Sequence, residues 1–307
     1  MKVCLSETRP ARRTGGWGGE SGPPSGEASG PQFAALPEVQ RVRAVECIRR
    51  LRGASQPCLM RSDDGKIYVV KFQNNPQHVR VLANEMLATR LGALMGLPVP
   101  DPAVVEVSAE LVAGNPDLEF QVGSRRIPGT PGLQFGSRFP GDPSQTLVVD
   151  FLPDRLLRRV RKLDELFLGA YVFDKWTCNC DGRQVVFYRL VDDEDSSYSA
   201  WLIDHGFCFN DGEWNFPDHQ LRSFYPRRFV YESVRSLNAF DQFLRRIENL
   251  EWAQLQACAR EIPAEWCGGE PEQLERLLEN LYERRWKVRQ AIIDARNCEL
   301  RPFPNWT

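Results

Sequence analysis

The chain has 307 residues, enough for one large or two small domains around a substantial core, and its formal charge of −2 gives no net attraction to nucleic acid or anionic lipid. Its composition is 42% hydrophobic, but no apolar run approaches the ~18 residues that mark a bilayer-spanning helix, so a membrane protein is not expected. Nine scattered cysteines and the polar start "MKVCLSETRPARRTGGWGGE" point to reduced thiols in a cytoplasm rather than a disulfide framework.

Residues 1–35 are rich in Gly, Pro, Ser and Arg without hydrophobic periodicity, and read as a disordered segment. Next, Asp63-Asp64-Gly65 joins strand-like runs around Cys58–Arg61 and Lys66–Gln73 into a hairpin. Asn75 and Pro76 predict an N-cap and first helical position, opening a helix over 76–95 that Gly96 and Pro98 stop. Strand-like and Gly/Pro-rich stretches fill 99–145, and "QTLVVDF" closes this half as a further strand. Helices are predicted at about 154–173, 228–248, 251–260 and 271–297, interrupted by strands near 184–191 and 199–209. The acidic loop "DDEDSSYS" between these strands reads as solvated. The last helix sets Leu274, Leu277, Leu278, Leu281, Trp286 and Val288 among charges, as an amphipathic element packed on the second half would. The expectation is an α+β protein of two lobes, residues 36–150 β-rich and 151–307 mainly helical, with a cleft near their junction at 150–153.

Four features carry chemistry. In "KIYVVKFQ" both faces of the strand are apolar, so Lys71 is partly buried and needs an anion. Glu85 has Val81, Leu82, Ala88 and Thr89 at neighbouring positions of the predicted helix, which places a carboxylate on an apolar flank and makes it a partner for Lys71. In "AYVFDKWTCNC" an apolar run delivers Asp174, and Asn179 follows five positions later. A polar turn, a metal knuckle and a catalytic loop with one carboxylate at the attacking hydroxyl and one amide on Mg²⁺ all fit that pattern. In "SAWLIDHGFCFN" Asp204 leaves a buried strand into a Gly-containing turn, as a metal-binding carboxylate of a kinase does. A rival reading assigns Cys178, Cys180, His205 and Cys208 to Zn²⁺. The order Lys, Glu, Asp-x4-Asn, Asp-x-Gly across the two expected lobes favours a kinase, because zinc explains none of Lys71, Glu85, Asp174 or Asn179.

The segments "GASQPCLMRSDDGKIYVVKFQNNPQHVRVLANEMLATRLGALMGLPVP", "TLVVDFLPD", "LGAYVFDKWTCNCDGRQVVF" and "WLIDHGFCFNDGEW" resemble the bacterial HipA-like kinases over roughly 38–300, in particular the compact branch, itself distantly similar to the phosphatidylinositol kinases. The resemblance implies a two-lobed protein-kinase-like fold that binds ATP and Mg²⁺ and phosphorylates a Ser or Thr hydroxyl of a protein substrate. It gives Lys71 to the ATP phosphates, Glu85 to holding Lys71, Asp174 to catalysis, and Asn179 and Asp204 to the metal. Gly53, Ser55 and Gln56 fall on the phosphate-covering loop, and Asp150, Phe151 and Leu152 on the hinge that meets adenine. The chain departs from the family where Trp176 replaces a histidine, where Asp-His-Gly replaces Asp-Phe-Gly, and in a short loop without GxGxxG; Asp181 competes with Asn179 for the metal. A nucleotide-binding pseudokinase and a kinase of small-molecule or lipid hydroxyls remain as alternatives.

Overall fold

The computed structural model describes residues 36, 38–193, 195–219 and 222–307; the segment read as disordered, 1–35, lies outside the described residues. In chain order the first elements are β1 (Gln40–Arg50), β2 (Cys58–Ser62), β3 (Ile67–Lys71), α1 (Val81–Leu94), β4 (Pro102–Val107), the short α2 (Ala109–Ala113), the β5–β6 hairpin (Glu119–Val122, Arg125–Pro128) and β7 (Gly132–Arg138). Strands β1, β2, β3, β7 and β4 close into a barrel, sealed by a parallel pairing of β1 with β4. The predicted hairpin forms about Asp63-Asp64-Gly65, with Cys58 opposite Val70 and Arg61 opposite Ile67. Both faces of β3 are covered: Tyr68 and Val70 join Val42, Met60, Val105 and Phe120 in the barrel's apolar core, while Val69 and Lys71 look out of it.

Helix α1 starts five residues later than Asn75-Pro76 predicts. The Asn75 amide donates to the Phe72 carbonyl at 2.7 Å, and its oxygen accepts the Gln77 N–H at 3.0 Å, so this asparagine closes a turn of its own and the helix waits for Val81. All of α1 except Ala93 is buried, as its apolar residues on every side require. It packs against β7 on one side and the second half of the chain on the other, and Val81, Leu82, Met86, Leu87 and Leu91 belong to the helical core rather than to the barrel core.

The second half contains β8 (Thr146–Val149), α3 (Asp154–Leu157), α4 (Leu163–Thr177), β9 (Gln184–Leu190), β10 (Ser199–Ile203), α5 (Asp241–Glu248), α6 (Trp252–Ala259), α7 (Pro271–Arg284) and α8 (Val288–Arg296). Strand β8 forms where "QTLVVDF" predicts it but pairs with β9, so it joins the three-stranded sheet β10-β9-β8 and not the barrel. The helix expected over 154–173 is two helices. Between them Val160 bridges to Tyr198, and Lys162 takes a left-handed conformation with φ of 53°. The second, α4, runs past Phe173 to Thr177, which puts Asp174 in its last full turn instead of in the loop beyond. The helix expected over 228–248 is two 3₁₀ turns followed by α5, and that over 271–297 breaks at 285–287. Leu274, Leu277, Leu278 and Leu281 are buried against α4 and α6, as the amphipathic pattern requires, whereas Trp286 stays 60% exposed beside the Arg285 guanidinium. Among the described residues no helix is long and apolar enough to cross a membrane.

Candidate active site

The barrel and the helical half meet around a lysine. Lys71 ends β3 and is 7% exposed; its ammonium contacts Glu85 Oε1 on α1 and lies 2.5 Å from Asp204 Oδ1, in the turn after β10. The second Glu85 oxygen accepts the His205 N–H at 3.0 Å. Two carboxylates thus share one cation, with Lys71 and Glu85 buried and Asp204 partly open to the cleft. Burial works against the lysine's charge, yet Glu85 and then Asp204 hold its pKa above the ordinary value. Burial, with Asp204 adding to it, raises the Glu85 pKa; Asp204 also resists burial, but Lys71 pulls its pKa below the usual carboxylate range. The Asp204 side chain is the most open of the three, at 21% exposed. Asp204 has φ of 57°, a left-handed conformation costly for a residue with a Cβ. Gly206 lets the turn press on α1, since a Cβ there would stand 2.6 Å from Val81 Cγ2 and 3.3 Å from Glu85 Oε1. Asn84, one residue before Glu85, anchors the same turn: its amide donates to the carbonyls of Gly206 at 2.8 Å, Cys208 at 3.0 Å and Asp211 at 2.8 Å, and its oxygen accepts the Trp214 indole N–H at 2.7 Å.

A second network lies beneath. The Asp174 side chain is fully buried, and Arg183 grips both its oxygens, Nε to Oδ2 at 2.9 Å and Nη2 to Oδ1. Asn179 donates to Asp174 Oδ1 at 3.2 Å and accepts the Asp181 N–H at 3.3 Å. Arg183 also donates through Nη1 to the Ile203 carbonyl at 3.0 Å and to His205 Nδ1 at 3.2 Å, which leaves Nε2–H of His205 to donate to the Leu202 carbonyl at 3.3 Å. Burial and then Arg183 push the His205 pKa well below its usual value, so the ring is neutral. The buried ion pair therefore ties the end of α4 to the backbone that carries Asp204.

The cleft between the halves has a volume of about 1090 Å³. Val69, Phe135, Val148, Trp201 and Ile203 give it an apolar slot; Gly53, Ala54 and Ser55 of the β1–β2 loop, with the exposed Arg49 and Arg52, border it from the barrel side. Of the residues expected at the site, Lys71, Glu85, Asp204, Gly53, Ser55, Asp150 and Phe151 line this cleft. Four do not. Gln56 turns away and clamps the β5–β6 hairpin, donating to the Gln121 carbonyl at 2.7 Å and accepting its N–H at 2.8 Å. Leu152 is buried, with its carbonyl held by Arg227. Asp174 and Asn179 are sealed beneath the loop by the bonds just described. The exposed carboxylate that reaches the cleft from this loop is Asp181, oriented in part by the Gly182 N–H on its Oδ1 at 2.7 Å. Asp181 is the first carboxylate after the helix, but the apolar run ends at Phe173, four residues before the helix does, so the sequence pointed first to Asp174.

The zinc constellation does not assemble. Cys178 Sγ points to the Pro217 carbonyl at 3.3 Å and Cys180 Sγ to that of Phe207 at 3.4 Å, while the guanidinium of Arg183 occupies His205 Nδ1. Burial raises the pKa of the Cys178, Cys180 and Cys208 thiols, which disfavours the thiolate a metal needs. Among the described residues no three His, Cys, Asp or Glu side chains gather to hold a metal ion.

A family model described as HipA-like kinase matches residues 44–290, well over half of the chain. No curated protein sequence matches it. Among solved structures, the Helicobacter pylori proinflammatory kinase CtkA is similar at 15% identity over 84% of this chain and 99% of that one, with a TM-score of 0.52. The Golgi casein kinase (15% identity, 85% of this chain and 74% of that one, TM-score 0.49) resembles it more loosely. So does a chain of the Shewanella oneidensis MR-1 HipA, HipB and operator DNA complex (14% identity, 85% and 76%, TM-score 0.37). The likeness to CtkA shows a kinase-like α+β fold; the other two are too distant to carry an argument.

Proposed function

The chain belongs to the HipA-like kinase family, and from that membership we propose that it transfers the γ-phosphoryl group of ATP, with Mg²⁺, to a Ser or Thr hydroxyl of a protein. The observation that carries this reading is the buried lysine shared by Glu85 and Asp204 on the wall of a cleft open to solvent. A lysine held by a helix glutamate is the arrangement kinases use to fix nucleotide phosphates. Adenine fits the slot of Val69, Phe135, Val148, Trp201 and Ile203, against backbone near Asp150. The Gly53–Ser55 loop would cover the phosphates, with Arg49 and Arg52 adding charge of the right sign. The two-lobe division belongs to this reading, with its hinge near Asp150 and Phe151.

The donor set fits a hard divalent ion. Asp204 and Asp181 offer carboxylate oxygens, suited to Mg²⁺ or Mn²⁺, and with no three such groups gathered among the described residues the ion would share its coordination with phosphate. Bound there, it neutralises charge building on the phosphates. In this reading the catalytic carboxylate is Asp181: one of its oxygens accepts the proton of the attacking hydroxyl, and the other would face the ion. Asp174 and Asn179 brace its loop from below, because Arg183 already engages both Asp174 oxygens. The cleft volume exceeds what a nucleotide alone needs, which leaves room for an acceptor side chain.

One observation favours a second reading, a nucleotide-binding pseudokinase. Counting five positions from Asp181, where Asp-x4-Asn would place the amide, gives Val186, an apolar residue facing the cleft. Incubation with γ-labelled ATP, Mg²⁺ and a mixture of candidate protein acceptors separates the two. Label transfer that vanishes in Lys71→Met and Asp181→Asn supports the kinase; nucleotide binding without turnover supports the pseudokinase.

A further inference from the structure

Strands β9 and β10 pair with Gln184 opposite Ile203 and Val186 opposite Trp201, and these four residues line the cleft. Their neighbours Val185, Phe187, Ala200 and Leu202 are buried behind them. The pleat therefore presents a floor of three apolar side chains and one amide to the nucleotide slot. That amide is exposed, and its side chain makes no hydrogen bond among the described residues. It stands three residues after Asp181 and directly across from the residue preceding Asp204, so strand pairing holds it beside the turn that bears one carboxylate and close in the chain to the other.

We propose that the Gln184 side-chain oxygen is a ligand of the divalent ion bound with the nucleotide, supplying the neutral donor that Val186 cannot give and that Asn179 spends on its own loop. The inference rests on the kinase reading of the cleft and adds a metal-binding residue to it. Two carboxylates and one amide oxygen form a hard donor set. Protein oxygens from so few residues leave the remaining positions to phosphate and water, so the ion binds well only together with the nucleotide. Gln184 would orient that ion and set its affinity; it touches neither the attacking hydroxyl nor its proton.

The test uses the full chain with Mn²⁺ and ADP as probes. Calorimetry measures the affinity of ADP with and without Mn²⁺, and electron paramagnetic resonance reads the environment of the bound Mn²⁺, for wild type, Gln184→Ala and Gln184→Glu. Gln184→Ala should weaken Mn²⁺-dependent ADP binding about tenfold or more, the scale of losing an orienting group at a metal site, while metal-free ADP affinity stays put. Gln184→Glu should restore the binding with an altered Mn²⁺ spectrum. Equal weakening with and without Mn²⁺ would overturn the assignment, since the amide would then contact the nucleotide and not the ion. So would a Gln184→Ala protein that binds Mn²⁺ and ADP like wild type. Failure of the wild type to bind Mn²⁺ and ADP would instead remove the kinase reading on which the inference rests.

Discussion

Two aspartates seven positions apart have opposite environments, and burial decides what each can do. Asp181 is exposed at the cleft, so Asp181→Asn should leave the melting temperature unchanged while cutting phosphoryl transfer by about 10²- to 10⁴-fold, the usual worth of a general base. Asp174 is sealed against Arg183, so Asp174→Asn should strand a buried guanidinium and lower stability by about 3–5 kcal/mol, read as a shifted urea midpoint. Spacing alone could not separate the two, because Asp-x4-Asn appears equally at the end of a helix that runs one turn further than its apolar run predicts. Lys71, Glu85 and Asp204 were legible because each is a charge in an apolar setting, an anomaly that periodicity exposes. Histidine burial sets a pH dependence: burial and then Arg183 hold the His205 pKa well below its usual value, so this ring stays neutral in the fold while the unfolded chain takes up a proton near 6.5. The unfolded state then binds more protons, and stability must fall as pH drops through 6.5. Urea midpoints measured from pH 7.5 to 5.5 should decline in wild type and decline less steeply in His205→Gln.

At the scale of elements, α1 and the turn after β10 act as one unit. Asn84 donates to three carbonyls and accepts an indole N–H there, sharing only the Gly206 carbonyl with His78. Asn84→Ala would remove the partner of the buried Cys208 carbonyl and of the Trp214 indole, at a cost of about 3 kcal/mol. Hydrogen exchange should then accelerate across 204–214 before it does in α4, which keeps its own contacts. The existence of α1 was readable from its composition, but its partners were not. A helix apolar on every side announces that it is buried without saying by what. The same limit applies to β8, whose strand character is local but whose pairing with β9 depends on the return of the chain some forty residues later.

For the whole molecule, the shift from β-rich to helical was visible in the order of patterns, and the cleft follows from it. The barrel keeps an apolar core of its own, separate from the larger core that spans α1 and the helices. A ligand in the cleft touches both, through Val69 and Lys71 on one side and Trp201 and Asp204 on the other. Mn²⁺ with ADP at a hundred times its dissociation constant should therefore raise unfolding stability by about 2.7 kcal/mol. Amide protection should rise together in β3 and in the turn following β10, measured by hydrogen exchange with mass spectrometry.

The double burial of α1 also limits how such an enzyme can be switched. A kinase that breaks its lysine–glutamate pair by swinging a helix outward needs that helix to be loosely seated. Here the swing would bring Val81, Leu82, Met86, Leu87 and Leu91 into water, at ~2 kcal/mol each or about 10 kcal/mol in all. That is comparable to the stability of an entire domain and beyond the one to three kcal/mol that a typical effector supplies. On the proposed kinase reading, control acts on what enters the cleft, nucleotide or acceptor, while Lys71 and Glu85 stay paired throughout.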